Sequence, residues 1–345
     1  MGQDQKMARE ARLIRLGLVG FGSVGRAFAE LVSRERSWIL QDRGIDLVIT
    51  GITTGRSGSI VEASGVNVDQ ALARARRRQL HGAQMTATEF IHRCPADVVV
   101  ETLPLQPWSG QDAIAITRAA LEAGQSVVSA NKGPVAHAVQ SLERLAASRG
   151  LFYRYESAVA DGMPVFNLIR HSLPASDITS FEGVLNSTST LVIDAVARGQ
   201  SIGEGIASAQ ALGIAEADPS YDLEGWDSAV KLAALSAAVW GQSLSLSAVT
   251  RDVVDASAGP RAAAAMRAGR RLCLTATMSR DTRGAITADV RLRDHGPHHP
   301  FYALSATSLG LRITSRLLCP MTISSDGPGP KDTAYGLLAD ILQGA

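Results

Sequence analysis

Several shortages in the sequence exclude classes of protein. Only three of the 345 residues are cysteines, Cys94, Cys273 and Cys319, and their odd number and wide spacing fit neither a disulfide framework nor a zinc knuckle. No apolar run is long enough to span a bilayer, and the polar first residues lack the apolar stretch of a secretion signal. We therefore expect a protein of the reducing cytoplasm with no membrane association.

The sequence also lacks an excess of charge of either sign. Its 34 lysines and arginines nearly balance 33 aspartates and glutamates, so electrostatics gives no reason to expect a nucleic-acid partner. The basic run at residues 71–78 lies in a predicted helix without interleaved aromatic residues, which favours a solvated helix face. Hydrophobic residues make up 46% and charged residues 19% of the chain. These values are typical of globular proteins, and the length favours two domains.

A glycine motif of the form GxGxxG lies between a predicted strand at residues 13–19 and a predicted helix. It comprises Gly20, Gly22, Ser23, Val24 and Gly25. Gly20 permits a tight turn, Gly22 allows the backbone to approach a pyrophosphate, and Gly25 lets the helix pack closely on the strand. The free N–H groups of the helix N-terminus would bind the anion. The context predicts a dinucleotide-binding Rossmann fold rather than a merely tight turn.

The end of the second predicted strand, at residues 46–53, indicates which dinucleotide is bound. An NAD-binding Rossmann fold normally carries an acidic residue here, which binds the ribose 2′-hydroxyl. This chain instead has a loop of small and hydroxyl residues containing Arg56. Because arginine can bind a 2′-phosphate and no carboxylate repels it, the sequence favours NADP over NAD. A solvent-facing Arg56 is the alternative.

Two further strands are predicted at residues 96–101 and 126–129, separated by a helix at residues 112–124. Thr102 and Lys132 follow the ends of these strands, and ligands bind at the carboxyl ends of parallel strands. We therefore expect Thr102 near the cofactor and Lys132 near the nicotinamide or an anionic group of the substrate. The alternative for Lys132 is a loop lysine in water.

The stretch at residues 213–235 combines an acidic cluster with a helix that is mostly apolar. Asp227 precedes Lys231 by one helical turn in that helix. As a surface pair of this spacing, the two would stabilise a helix by roughly 0.2–0.5 kcal/mol. In a cleft, the same lysine and carboxylate could transfer a proton to or from a small polar substrate.

The second half of the chain has the pattern of a mixed α+β domain. Strands of antiparallel type are predicted at residues 151–159 and 178–185, with a helix at residues 164–172 between them, and further strands at residues 270–278, 285–292 and 317–324. The histidines of the loop at residues 295–300 suggest a metal site only weakly, because two adjacent histidines between prolines point in different directions and no carboxylate accompanies them.

Six stretches, in this order and spacing, resemble the homoserine dehydrogenase family in its short form without a regulatory ACT domain. They are GLVGFGSVG at 17–25, VVSANKGPVA at 127–136, YESAVADGMPV at 155–165, EGVLNSTSTLV at 182–192, ALGIAEADPSYDLEGWDSAVKLA at 211–233 and SDGPGPKDTA at 325–334. The resemblance implies a dimeric enzyme of amino-acid biosynthesis that interconverts aspartate 4-semialdehyde and homoserine with NAD(P). It implies two domains: a doubly wound parallel sheet of Rossmann type at residues 1–150, to which residues 322–345 return, and a mixed α+β catalytic and dimerisation domain at residues 151–321.

The resemblance also implies roles for particular residues. Lys231 corresponds to the general acid and base, and Asp227 to its carboxylate neighbour. Glu216 and Asp222 correspond to acids that bind the amino group of the substrate, and Lys132 to a lysine close to cofactor and substrate. Two further residues, Gly327 and Gly329, correspond to glycines that approach the cofactor.

A site for a monovalent cation, built largely from backbone carbonyls, is implied at four positions. These are Glu156, Val159, Asp161 and Met163. The chain departs from the family pattern at residues 160–161, where glycines are usual, and in the loop at residues 187–190. These departures leave open a dehydrogenase of a related amino-aldehyde, and a non-catalytic NADP-binding regulator is a further alternative.

Overall fold

The computed structural model describes residues 11–55, 57–77, 80 and 84–345. In this part of the chain the first sheet contains six strands. They are β1 (Arg12–Val19), β2 (Ile45–Thr54), β3 (Gly58–Val61), β4 (Val98–Glu101), β5 (Ser126–Ser129) and β6 (Tyr153–Arg154).

The strand order of this sheet is β3-β2-β1-β4-β5-β6, which is the order of a Rossmann fold. Five strands run parallel, and β3 pairs antiparallel with β2. The Rossmann-type α/β fold is confirmed, and its parallel sheet carries one antiparallel strand, β3, at this edge. Only three residues, 55–57, separate β2 from β3, and a connection this short forms a hairpin rather than a parallel crossover.

Helices cover both faces of the first sheet. They are α1 (Ser23–Arg43), α2 (Val68–Arg76), α3 (Ala87–Arg93), α4 (Gln111–Glu122) and α5 (Lys132–Ser148). Because side chains alternate along a strand, Leu16 and Leu18 of β1 share one core cluster with Phe28 of α1, while Val19 shares the cluster of the other face with Phe90 of α3. The sheet is therefore doubly wound.

Residues 151–159 differ from their predicted structure. The antiparallel strand expected there is absent, and β6 instead pairs parallel with β5 as the last strand of the first sheet. Tyr153 and Tyr155 are buried, which explains the strand-like pattern, but residues 157–160 turn into a short helix. The first sheet thus extends slightly beyond the predicted boundary at residue 150.

The second sheet also has six strands among the described residues. They are β7 (Ile178–Val184), β8 (Thr250–Arg251), β9 (Arg271–Arg280), β10 (Ile286–His295), β11 (Leu309–Ser315) and β12 (Met321–Ser325). Their order is β12-β11-β7-β9-β10-β8, and all pairs are antiparallel except β8 with β10. The predicted hairpin of residues 270–278 and 285–292 is therefore confirmed.

The remaining helices belong to the second half of the chain. They are α6 (Ser157–Ala160), α7 (Val165–Asn167), α8 (Ser187–Ala197), α9 (Ile202–Ala211), α10 (Ser220–Leu223), α11 (Trp226–Leu235), α12 (Ala258–Arg267) and α13 (Pro330–Gly344). Two π-helical segments, Leu168–Ser172 and Ser236–Trp240, continue α7 and α11, and 3-10 turns form at Leu246–Ala248 and Pro300–Ala303. Across the parts of the chain described here, no helix combines the length and apolar character needed to cross a membrane.

The C-terminal helix α13 returns to the first sheet. Leu337, Leu338 and Ile341 are buried in the same core cluster as Phe28 and Val32 of α1. Strand β12, however, remains in the second sheet, so the chain crosses back after residue 325 rather than at residue 322. This return places the start of α13 beside the carboxyl ends of the Rossmann strands.

Candidate functional site

The turn between β1 and α1 has the geometry that a dinucleotide requires. Gly20 has φ 103°, and a Cβ atom there would lie 2.6 Å from the carbonyl oxygen of Thr102; one on Gly25 would lie 2.5 Å from the carbonyl oxygen of Gly20. A Cβ on Gly22 would meet nothing within 4 Å, and no side chain caps α1. Space and free N–H groups therefore coincide where a pyrophosphate would bind.

A cavity of about 200 Å³ lies between the Rossmann turn and the second half of the chain. It is lined by Val24, Thr102, Leu103, Ala130, Lys132, Ser157, Ala158, Val159, Asp161, Lys231 and Thr333. Thr102 and Ala130 come from the carboxyl ends of β4 and β5, where ligands of open α/β sheets bind. The cavity thus joins the predicted cofactor site to both predicted functional lysines.

Asp227 bridges the two lysines at this cavity. Lys132 Nζ donates to Asp227 Oδ1 at 2.9 Å, and Lys231 Nζ lies 2.8 Å from Asp227 Oδ2. Lys231 also donates to the carbonyl oxygen of Leu185. An ammonium has three hydrogens, so one hydrogen of Lys231 remains for a ligand in the cavity.

Helix starts position these side chains. Asn131 caps α5 by accepting from the Gly133 N–H at 3.0 Å, which fixes Lys132 in the first turn. Asp227 lies in the first turn of α11, where the helix dipole favours a carboxylate. Both Asp227 and Lys231 are buried, with exposures of 6% and 8%, so they do not form the surface pair that the sequence left open.

Burial and charge act in opposite directions on these groups. Burial alone would raise the pKa of Asp227, but the ammonium groups of Lys132 and Lys231 and the bond from Asn186 outweigh it, and the pKa lies well below its usual range. Burial likewise disfavours the charged form of Lys132, yet the carboxylate of Asp227 raises its pKa above the ordinary value. The pair of Lys132 and Asp227 is therefore ionic at neutral pH.

Asn186 is a site residue to which the sequence argument gave no role. Its side-chain amide donates to Asp222 Oδ1 at 2.8 Å and to Asp227 Oδ2 at 3.0 Å, and its side-chain oxygen Oδ1 caps α8 by accepting from Ser189 N–H. Burial, followed by the charge of Asp227, raises the pKa of Asp222. An asparagine before an apolar helix indicates an N-cap, but its contact with two distant aspartates could not be read from the sequence.

Other predicted site residues lie in different surroundings. Glu216 is exposed, in the loop between α9 and α10, and does not line the cavity. Gly327 has φ 61° and Gly329 precedes α13, close in sequence to the cavity residue Thr333. Arg56 lies outside the described residues.

The four residues of the predicted cation site surround the short helix α6. The carboxylate of Glu156 accepts from the N–H groups of Phe166 and Asn167 at 2.8 and 2.6 Å, so both of its oxygens already have partners. Val159 and Met163 are buried and can offer only backbone carbonyls. Asp161 could add one carboxylate oxygen, because only its Oδ1 accepts from Thr333, and a set with a single available carboxylate fits a monovalent cation better than a divalent one.

The histidine loop has a carboxylate neighbour that the sequence did not reveal. Glu182 Oε2 lies 3.4 Å from His299 Nε2, and the three residues Glu182, His295 and His299 cluster closely. The rings of His295 and His299 are stacked, 4.1 Å apart and 26° from parallel. The expectation that no carboxylate accompanies these histidines is therefore wrong. The stacking still argues against a shared metal ion, because lone pairs lie in the ring planes and stacked rings do not direct them at one point.

His295 should make stability depend on pH. It is buried, and burial, followed by the charge of His299, lowers its pKa to about 4. Since the unfolded pKa is about 6.5, stability is complete above that pH and falls as the pH approaches 4. Between about pH 7 and pH 4, the free energy of unfolding measured in urea should fall by roughly 2–3 kcal/mol more in wild type than in His295→Gln. His298→Gln, at an exposed position of the same loop, should behave like wild type; parallel pH curves for His295→Gln and wild type would contradict the prediction.

Comparison with known sequences identifies relatives over almost the whole chain. A model of the homoserine dehydrogenase family matches residues 164–342. The NAD(+)-dependent homoserine dehydrogenase of Pseudomonas canavaninivorans is 35% identical over 335 residues, which cover 95% of each chain. The homoserine dehydrogenase of Sulfurisphaera tokodaii is 26% identical over 95% of this chain and 98% of its own.

Solved structures show the same fold. The homoserine dehydrogenase of Thermoplasma acidophilum superposes with a TM-score of 0.83 at 25% identity, over 96% of this chain and 99% of its own. A hyperthermophilic archaeal homoserine dehydrogenase in complex with NADPH superposes with a TM-score of 0.80 at 24% identity, over 96% and 97%.

Proposed function

The chain belongs to the homoserine dehydrogenase family of NAD(P)-dependent oxidoreductases, and we propose that Lys231 is its general acid and base. The reaction interconverts aspartate 4-semialdehyde and L-homoserine. The observation that carries the proposal is the bridge of Lys132, Asp227 and Lys231 at the edge of a dinucleotide-binding sheet. A bound nicotinamide supplies or accepts the hydride.

Lys231 has the position and hydrogen-bonding capacity for proton transfer. Hydride addition to an aldehyde carbon leaves negative charge on its oxygen, and a donor within about 2.6–3.2 Å can protonate it. The ammonium of Lys231, held by Asp227 and the Leu185 carbonyl, offers its third hydrogen to the cavity. In the oxidation direction, the neutral amine accepts the proton of the alcohol.

Asp227 and Lys132 support this step. Asp227 orients both amines and compensates for the cost of burying them. Lys132 keeps two hydrogens free of Asp227, and these can bind the carboxylate or the reacting oxygen of the substrate. The mixture of acids and amines suits a zwitterionic amino-aldehyde better than a simple 2-keto acid, for which paired arginines would be expected.

Asp222 and Glu216 are proposed to bind the substrate ammonium. Asp222 lies beside the bridge through its bond with Asn186, which supports a direct contact. Glu216 is exposed, so its role would require the loop at residues 212–219 to approach the cleft when substrate binds. Val24, Thr102, Gly327 and Gly329 are proposed to contact the cofactor.

We propose NADP(H) as the preferred cofactor, with NAD(H) as the competing possibility. The loop at residues 53–59 contains no carboxylate, whereas the relative from P. canavaninivorans is named for NAD(+). We expect kcat/KM to be higher with NADPH than with NADH, and Arg56→Ala to lower the NADPH value about tenfold or more while sparing NADH. A higher kcat/KM with NADH in the wild type would reverse this assignment.

The remaining parts of the proposal concern assembly and ions. Homodimerisation through the second sheet is proposed because its strands otherwise leave unpaired edges, and a cytoplasmic location because the cysteines are unpaired. The domain division proposed from the sequence, at residues 150 and 322, is retained with the shifts of a few residues noted above.

A monovalent cation at residues 156–163 would raise the melting temperature when sodium or potassium replaces a bulky organic cation.

The direct test of the function is NADPH-dependent consumption of aspartate 4-semialdehyde by the purified chain. The same assay with homologues of the substrate one carbon longer or shorter tests the alternative of a related amino-aldehyde, which the unusual loop at residues 187–190 keeps open. Cofactor binding without turnover of any of these aldehydes would favour a regulator instead.

A further inference from the structure

Asp161 has an unusual backbone conformation beside the cavity. Its φ of 52° and ψ of −117° lie in a region that residues with side chains rarely adopt. Among the described residues other than glycine, Ala175 and Asp177 also have a positive φ, but neither of them lines the cavity. Strain at a ligand site is a reason to ask what the strained side chain does.

Packing against α13 maintains this conformation. A Cβ atom on Gly162 would lie 2.4 Å from the carbonyl oxygen of Asp332, so the two backbones are in close contact. The Thr333 hydroxyl donates to Asp161 Oδ1 at 2.8 Å, and the Ser157 hydroxyl donates to the Thr333 carbonyl at 2.7 Å. These contacts fix both the backbone and the carboxylate of Asp161.

The charge of Asp161 matters because the cavity is otherwise rich in ammonium groups. Among the described residues that line it, Lys132 and Lys231 are cationic and Asp161 is the only carboxylate. The pKa of Lys132 reflects this proximity, since Asp161 contributes to raising it after the larger effects of burial and Asp227. Asp227 is already shared between the two lysines.

The nicotinamide ring carries a positive charge when oxidised and none when reduced. In a Rossmann fold the ligand lies at the carboxyl ends of the strands, which here contribute Thr102 and Ala130 to the cavity. Two nearby ammonium groups disfavour a cationic ring, and a carboxylate in the same cavity offsets them. The adenine, ribose and phosphate groups are identical in both redox forms, so the ratio of their affinities isolates the effect on the ring.

We infer that Asp161 sets the redox preference of the cofactor site by strengthening the binding of the oxidised nicotinamide dinucleotide relative to the reduced one. This inference rests on the proposed function of the cleft. A chain with glycine at this position would lack the charge, and its bound cofactor equilibrium would be shifted toward the reduced form.

The test is calorimetric titration with NADP+ and NADPH, and in parallel with NAD+ and NADH, in the absence of substrate. We expect Asp161→Asn to lower the ratio of the reduced-form Kd to the oxidised-form Kd roughly tenfold, as loss of one charge at close range in a partly buried site predicts. The matched control is Asp177→Asn, because Asp177 is an aspartate with a similar positive φ of 53° and lies outside the cavity. Its ratio should equal that of wild type.

The outcomes separate the inference from the function on which it rests. An unchanged ratio in Asp161→Asn, with both forms still bound, overturns the inference and leaves the proposed function standing. Failure of wild type to bind any of the four dinucleotides overturns both. If Asp161→Asn does not fold, Asp161→Gly decides the question, because glycine removes the charge and adopts this φ without strain.

Discussion

Lys231→Met should lower kcat for reduction of aspartate 4-semialdehyde by at least a hundredfold, within the range of about 10²–10⁴ typical of general acid–base catalysis. The methionine side chain has a similar length but no proton to give. Because Asp227 keeps its bond with Lys132, the bridge retains one cation and the fold should persist. Affinity for the reduced cofactor, whose nicotinamide ring is neutral, should stay within a few-fold of wild type, since the Rossmann turn is unchanged.

Lys231→Arg is the matched control for this prediction. Arginine preserves the positive charge but does not release its proton in proteins, so turnover should remain slow even where binding of the substrate survives. Turnover of Lys231→Met close to that of wild type would show that residue 231 is not the proton donor. Full turnover in Lys231→Arg would show that the positive charge of residue 231 matters rather than its proton.

Asp227→Ala should be the most destabilising change at the site. It leaves Lys132 and Lys231 mostly buried and without their shared carboxylate, and removal of one partner from a buried ion pair costs about 3–5 kcal/mol. The free energy of unfolding, measured by urea titration at neutral pH, should fall by that amount. Burial would then lower the pKa of Lys132, which Asp227 now holds above its ordinary value.

The comparison variant for Asp227→Ala is Asp218→Ala, in the same acidic stretch. Asp218 is exposed and bonds only with the neighbouring Ser220 N–H among the contacts described, so its loss should leave the urea midpoint almost unchanged. A similar midpoint for Asp227→Ala and wild type would mean that the two lysines are solvated or paired elsewhere, and the ionic bridge would lose its assigned importance.

Local features of the sequence predicted much of the fold. The glycine motif predicted the strand-turn-helix start because only glycine fits the close contact with Thr102, and the one-turn spacing predicted that Asp227 and Lys231 would meet. The prediction of an antiparallel strand at residues 151–159 was wrong. Alternating tyrosines suggest a strand, but only two residues pair there, at the edge of the first sheet. Strand pairing at such an edge depends on neighbours that the local sequence does not specify.

Long-range contacts in the site were beyond reach of the sequence alone. Lys132 and Asp227 are 95 residues apart, and their bond depends on how α5 packs against α11. The exposure of Glu216 and the contacts of Asn186 with two aspartates could not be predicted for the same reason. Residue type and spacing constrain a helix but not the partner helix against which it packs.

The most direct test of the central claim is the distance from Lys231 Nζ to the substrate oxygen in a crystal structure of the chain with homoserine and the reduced cofactor. That pair cannot react, so the complex persists. Proton transfer by Lys231 requires about 2.6–3.2 Å between the amine and the homoserine hydroxyl oxygen. A hydroxyl that lies beyond hydrogen-bond reach of Lys231 and against a different acid or base would contradict the account.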